Sequence, residues 1–137
     1  LNGFFKQEAD IDQRARAFLR EVNLDTLADH QAKNLPYGKQ RQLEIARALA
    51  TGAKLIFLDE PAAGMNPYET HELTAFIKEI KQKMGLTIVL IEHDMSLVME
   101  ICERIFVLDY GKLIAMGTPE EIKQNRKVIE AYLGDEN

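Results

Sequence analysis

Two short apolar runs, each ending at a cluster of charged residues, constrain this chain more than any other feature. Lys54-Leu55-Ile56-Phe57-Leu58-Asp59 leads straight into Glu60, and Leu86 to Ile91 leads into Glu92-His93-Asp94. Continuous apolar runs of this length are the pattern of buried parallel strands, not of half-exposed alternating ones. The stretch between them has a helical period. Asn66 caps it, Pro67 takes its first position and Glu69 its third, while Leu73, Ile77, Ile80 and Met84 form an apolar stripe that stops at Gly85. Strands alternating with helices predict an α/β sheet, in which ligands sit at the carboxyl ends of the strands. If the two strands are neighbours, Asp59-Glu60 and Glu92-His93-Asp94 share one rim.

The remaining elements follow from spacing and punctuation. After Asp10, a plausible cap, Ile11, Ala15, Phe18, Leu19 and Val22 recur at helical spacing and predict an amphipathic helix. A polar stretch from Asp25 to Asn34 precedes Leu35-Pro36-Tyr37-Gly38, and Lys39 to Ala50 reads as a second helix ended near Gly52. Ser96 to Glu103 reads as a short helix. Arg104 to Leu108 and Lys112 to Met116 flank Asp109-Tyr110-Gly111 as a hairpin, and Thr118-Pro119-Glu120-Glu121 is a capping box opening the last helices.

Composition narrows the function classes. A length of 137 residues suits one domain. Lys plus Arg is 17 and Asp plus Glu 22, so the net charge of 17 − 22 = −5 argues against a phosphate-coating nucleic-acid binder. With 46% apolar and 28% charged residues the chain is of globular, not disordered, composition. The single cysteine, Cys102, allows neither an internal disulfide nor a zinc site of several thiolates, and fits a reducing compartment. No apolar run approaches the ~20 residues of a membrane-spanning helix. No basic, apolar, small-residue leader is recognised, and an opening on Leu1 instead of methionine leaves two readings, an artificial boundary or a piece of something longer.

Three places carry chemistry. An apolar strand delivering Asp59 and Glu60 in succession suits phosphoryl chemistry with magnesium: Asp59 holds the metal and Glu60 orients or deprotonates a water. A strand-end Asp-Glu pair also makes ordinary turn and cap bonds. His93 could donate to a terminal phosphate oxygen, or be a turn residue. The turn Leu35-Pro36-Tyr37-Gly38-Lys39-Gln40 opens a helix whose free N–H groups and positive dipole end attract phosphate, a property of any helix start.

Taken in order, these segments resemble the C-terminal half of an ABC transporter nucleotide-binding subunit. Leu35 to Gln40 lies where that family has its signature Leu-Ser-Gly-Gly-Gln. Leu55 to Glu60 is similar to the Walker B strand, Pro61 to Pro67 to the D-loop, and His93 to the switch histidine. Within the family, Leu-x-Tyr-Gly, Glu-Ile-Ala-Arg, Pro-Ala-Ala-Gly-Met-Asn-Pro, Ile-Glu-His-Asp-Met and the ending Ala-Tyr-Leu-Gly look like the importer of branched-chain amino acids.

The resemblance implies a partial P-loop NTPase fold, mostly parallel sheet flanked by helices. Residues 1–137 would be the C-terminal portion of one nucleotide-binding domain: 1–52 a helical signature region, and 53–137 Walker B, D-loop, switch histidine and C-terminal hairpin and helices. It implies a parent that hydrolyses ATP with Mg2+ between two nucleotide-binding subunits, with Asp59 on the metal, and Glu60 and His93 catalytic. Leu35, Pro36, Tyr37, Gly38, Lys39, Gln40 and Asn66 would serve nucleotide. The implied partners are a second such subunit and transmembrane permease subunits, with no nucleic acid, on the cytoplasmic face of the inner membrane. Alternatives are a transporter of another solute, such as urea, an amide or lipopolysaccharide, or a non-transport ABC ATPase. The latter carry long insertions near the signature, for which Gly38 and Asp59, 59 − 38 = 21 positions apart, leave no room.

The chain departs from the family pattern. Pro36 stands at the signature serine position, Lys39 at the glutamine and Asn66 at the D-loop aspartate. No Gly-x-x-x-x-Gly-Lys-Ser/Thr P-loop occurs in the 137 residues, since Gly38-Lys39 and Gly111-Lys112 lack both the earlier glycine and the hydroxyl. The chain alone is therefore expected not to hydrolyse ATP. The strand leading into a P-loop would lie between Leu86 to Ile91 and Arg104 to Leu108. Without it the chain is expected to self-associate, or to pack Arg104 to Leu108 directly against Leu86 to Ile91.

Overall fold

A computed structural model describes residues 1–133, so Gly134, the last residue of Ala-Tyr-Leu-Gly, lies outside the described residues. The backbone forms two compact units, Leu1–Ile91 and Glu92–Asn137.

The first unit begins with α1, Asn2–Glu21. Asp10 lies inside this helix and not at its cap: its carboxylate is 3.9 Å from Arg14, one turn on. Asp12 and Arg16 pair in the same way at 3.1 Å, and Arg16 also reaches Asp29 at 2.8 Å. Such i,i+4 pairs support the polar middle of the helix, while the turns upstream of Asp10, which the apolar spacing did not predict, continue it back to Asn2. Only the end of the predicted stripe is packed. Val22 is buried and Phe18 and Leu19 half-buried, whereas Phe4, Phe5 and Ile11 are exposed.

Helix α2, Tyr37–Leu49, buries Gln42, Ile45, Ala46 and Leu49 and packs against α3, Pro67–Met84. On α3 most of the predicted stripe is core: Leu73, Ile77 and Ile80 are fully buried, with Thr70, Thr74 and Phe76 beside them, while Met84 is half-buried. Asn66 and Glu69 form the predicted capping box, and Gly85 ends the helix in the left-handed conformation that glycine adopts without steric penalty. Strands β1, Leu55–Asp59, and β2, Thr87–Ile91, pair in parallel from Leu55↔Thr87 to Asp59↔Ile91. The parallel neighbours expected from the sequence are present, but their burial on both faces is not. Ile56 is buried and Leu58, Ile88 and Leu90 half-buried, while Leu55, Phe57, Val89 and Ile91 on the opposite face are exposed, Phe57 to 71% and Ile91 to 59%.

The second unit opens on α4, Met95–Ile101, followed by β3, Ile105–Asp109, and β4, Lys112–Gly117. The hairpin is antiparallel, with a register shift between Val107 and Leu108, and turns through Tyr110 (φ 45°) and Gly111 (φ 75°). Positive φ at both central residues matches the strand twist of a tight hairpin. Thr118 and Glu121 make the predicted capping box of α5, Pro119–Lys123, which is followed by α6, Arg126–Val128, and a wider turn, Ile129–Leu133. Val98, Ile105, Val107, Ala115, Ile122 and Val128 form the core of this unit.

Among the described residues β3 pairs only with β4, and β1 only with β2. Arg104 to Leu108 therefore does not pair with Leu86 to Ile91 as one expectation had it; its ladder is with β4, which takes one of its two edges. The ordered ladders are one parallel pair and one antiparallel pair, so the parallel part of the sheet is smaller than expected.

Candidate functional site

The end of β1 is built to hold two carboxylates at a turn. Asp59 is the last strand residue and, by alternation, shares the open face with Phe57. The next residue, Glu60, still belongs to the sheet by its amide, which donates to the Ile91 carbonyl at 2.8 Å. Its φ of 44° then takes the chain out of the strand. A non-glycine residue held left-handed stores about 1–3 kcal/mol, a strain that clusters at functional turns. The loop closes on itself through Ala63 N–H to Glu60 O and Met65 N–H to Ala62 O, both at 3.1 Å, and is anchored by buried Pro61 and Ala62. Asn66 then accepts from the Glu69 amide at 2.9 Å, so its side-chain oxygen is engaged in starting α3.

No group of three or more His, Cys, Asp or Glu side chains among the described residues could cage a metal ion. Magnesium is ordinarily held by one or two carboxylates, its other positions filled by water and substrate phosphates. One exposed carboxylate at a strand end, Asp59, suits a metal that arrives on a phosphate.

The start of α2 is the second segment. Leu35 is buried and anchors it. Pro36, with φ −53° and ψ 147°, occupies the cap position, no side chain caps the helix, and the first helical bond runs from the Gln40 amide to the Pro36 carbonyl at 3.0 Å. The N–H groups of a first turn have no intrahelical acceptor, so an uncapped start presents donors. The side chains divide their work differently from the expectation. Gln40 turns back, donating to the Leu35 carbonyl at 2.8 Å, so it closes the turn. Lys39 leans on α3, its ammonium 3.7 Å from the Glu72 carboxylate and donating to Gln42 at 3.2 Å. Tyr37 and Gly38 remain as the backbone segment open to a ligand. Sequence reasoning passed over Arg41, which donates to Glu44 at 2.7 Å and lies over the Tyr37 ring, 5.7 Å from its centroid. Its spacing of four from Tyr37 was the available signal.

In the second unit the predicted cluster separates into roles. The Glu92 carboxylate accepts from the amides of His93 at 3.1 Å and Asp94 at 3.3 Å. Asp94 caps α4, accepting from the amides of Ser96 and Leu97. The Ser96 hydroxyl foremost, then those two amides, hold its carboxyl below the ordinary aspartate range. Asp94 is thus occupied as a cap, and exposed His93 is the residue of the three with a side chain suited to proton chemistry.

A strained carboxylate-bearing turn after a parallel strand and an uncapped helix start thus lie in the same unit. The chain belongs to the ATP-binding cassette family of transporter ATP-binding proteins. A family profile described as ABC transporter matches residues 2–63, and one described as branched-chain amino acid ATP-binding cassette transporter matches residues 112–136. The high-affinity branched-chain amino acid transport ATP-binding protein LivG of Salmonella typhimurium is 49% identical over 132 residues, 96% of this chain and 52% of that protein. The corresponding BraF of Pseudomonas aeruginosa is 47% identical over the same shares. The lipopolysaccharide export system ATP-binding protein LptB of Haemophilus influenzae is 34% identical over 90% of this chain and 51% of that protein. Among solved structures, the ADP conformation of an ATP-binding cassette of an ABC transporter superposes with a TM-score of 0.78 at 33% identity, covering 90% of this chain and 50% of that one. A nucleotide-free cassette gives 0.76 at 35% identity over the same shares. The chain thus spans about half the length of the curated relatives it matches.

Proposed function

We propose that this chain is the C-terminal part of an ATP-hydrolysing subunit that powers import of branched-chain amino acids. The observation that carries the reading is the turn at Glu60: a parallel strand delivers Asp59 and then a left-handed Glu60, its amide held by the sheet at 2.8 Å. The identity of 49% to a branched-chain amino acid transport protein, against 34% to a lipopolysaccharide exporter, favours that solute class.

In this reading Asp59 binds Mg2+ carried by ATP, and the metal neutralises charge developing on the transferred phosphoryl group. Glu60 orients the attacking water and accepts its proton. His93 donates to the terminal phosphate. The amides of Tyr37 and Gly38 face the nucleotide of a second copy, where the helix dipole favours an anion. Asn66 shapes the loop between the two segments. Residues 1–52 supply the signature region and 53–137 the remaining catalytic segments. The working assembly is a pair of nucleotide-binding subunits on permease subunits, at the cytoplasmic face of the inner membrane. Among the described residues no helix is long and apolar enough to cross a membrane, which suits a subunit attached from the side.

The test is Glu60→Gln in the full-length protein. The amide keeps the shape and removes the base, so ATP binding is retained while turnover falls at least a hundredfold, the scale of general-base catalysis being roughly 10²–10⁴-fold. Unchanged turnover removes Glu60 from the role and with it the reading. The 137-residue chain itself, having no P-loop, is expected to show no ATP hydrolysis and no saturable micromolar binding by calorimetry.

A further inference from the structure

We propose that Tyr37 is a positioning residue whose hydroxyl ties the start of α2 to the loop after Glu60, so that the two nucleotide-facing segments of one copy move as one piece. The inference deepens the functional reading above and rests on it. The Tyr37 hydroxyl donates to the Ala63 carbonyl at 3.3 Å, and the Ala63 amide donates in turn to the Glu60 carbonyl at 3.1 Å. Two hydrogen bonds therefore join the first residue of α2 to the backbone of the proposed base.

The hydroxyl is set for this by Arg41. Its guanidinium donates to the Tyr37 oxygen at 3.0 Å and lies 5.7 Å from the ring centroid. With one lone pair engaged by Arg41, the hydroxyl hydrogen is left to donate, and the Ala63 carbonyl is its acceptor. Arg41 holds this place at a cost, because its Nε is buried with no hydrogen-bond partner among the described residues. The neighbours of Tyr37 lie toward α3. Gly38 faces Glu69, whose Cβ and Cγ would stand 3.8 Å from an added Cβ, and Lys39 pairs with Glu72. Of these three consecutive residues Tyr37 is the one that reaches the loop.

At 3.3 Å the bond is long for a hydroxyl donor, so the effect expected of its loss is modest. A mere structural prop would act on stability. A positioning contact acts on turnover at constant nucleotide affinity.

Tyr37→Phe keeps the ring and the main-chain amides and removes only the hydroxyl. In the full-length protein we expect kcat to fall about threefold with KM for ATP unchanged, the scale of one modest hydrogen bond. In the 137-residue chain, hydrogen exchange at amides 62–65 should rise by a similar factor, while that within β1 and β2 stays the same. Arg41→Gln, which frees the hydroxyl to rotate, should shift both readouts in the same direction. Wild-type kcat and wild-type exchange at 62–65 in Tyr37→Phe overturn the proposal. So does a change confined to the thermal midpoint. Glu60→Gln assayed alongside separates the two ideas: normal turnover there sinks the functional reading, whereas the exchange at 62–65 still decides the Tyr37 contact.

Discussion

At Pro36 one ring decides how α2 begins. Proline has no N–H and fixes φ near the observed −53°, so the turn is preorganised but offers a nucleotide neither a hydroxyl nor a main-chain donor at that position. Pro36→Ser restores both, each worth roughly 1.5–3 kcal/mol toward a charged phosphate when well aligned. ATP-driven pairing of the full-length protein should then tighten, as read by sedimentation with and without ATP. Pairing that stays equal or weakens would show that the proline shapes a different turn. Asp94 makes a pH prediction. Its folded carboxyl titrates below the ordinary value because Ser96 and the first amides of α4 bind its ionised form. Its contribution is complete above the unfolded value of about 3.9 and is lost as pH falls through the depressed folded value. The protection factors of the α4 amides, taken relative to unstructured exchange at the same pH, should therefore fall on acidification below about pH 4. Asp94→Ala should exchange faster at neutral pH, by the ~1 kcal/mol of a lost cap, and respond less to acid.

Among the elements, α3 bears most of the first unit. Its cap, its left-handed Gly85 end and its buried Leu73, Ile77 and Ile80 agree with one another, so local signals and packing specify the same helix. Ile77→Ala removes a fully buried side chain and should destabilise by about 2–5 kcal/mol, measured as a lower denaturant midpoint. The Arg16 pairs to Asp12 and Asp29, by contrast, are exposed, and exposed ion pairs contribute little. Helix α1 and strands β1 and β2 are where local reading was least complete. The start of α1 was missed because residues 2–9 have no recurring apolar period, their two phenylalanines being adjacent and exposed. The open face of β1 and β2 was missed because a run of apolar residues reads the same whether one face or both are covered.

On the scale of the whole chain, the exposed Phe57, Val89 and Ile91 lie on the open face of a two-stranded sheet whose strands pair only with each other among the described residues. Unpaired edges and exposed apolar strands invite association. The sedimentation coefficient of the 137-residue chain is expected to rise with concentration, and Phe57→Lys with Val89→Lys should suppress the rise while circular dichroism stays the same. A coefficient constant over a hundredfold dilution would contradict this. What the sequence determined by itself was local or carried by motif: the boxes at Asn66 and Thr118, the hairpin turn, the core stripe of α3, and, through the order of its segments, the family. Each depends on residues a few positions apart, or on their order along the chain. Only the tertiary structure decided that Gln40 closes its own turn, that Lys39 faces Glu72, that Tyr37 reaches Ala63 and that, among the described residues, β3 pairs with β4 alone. Those contacts join side chains and strands to whatever folding brings beside them, and spacing along the chain carries no record of that.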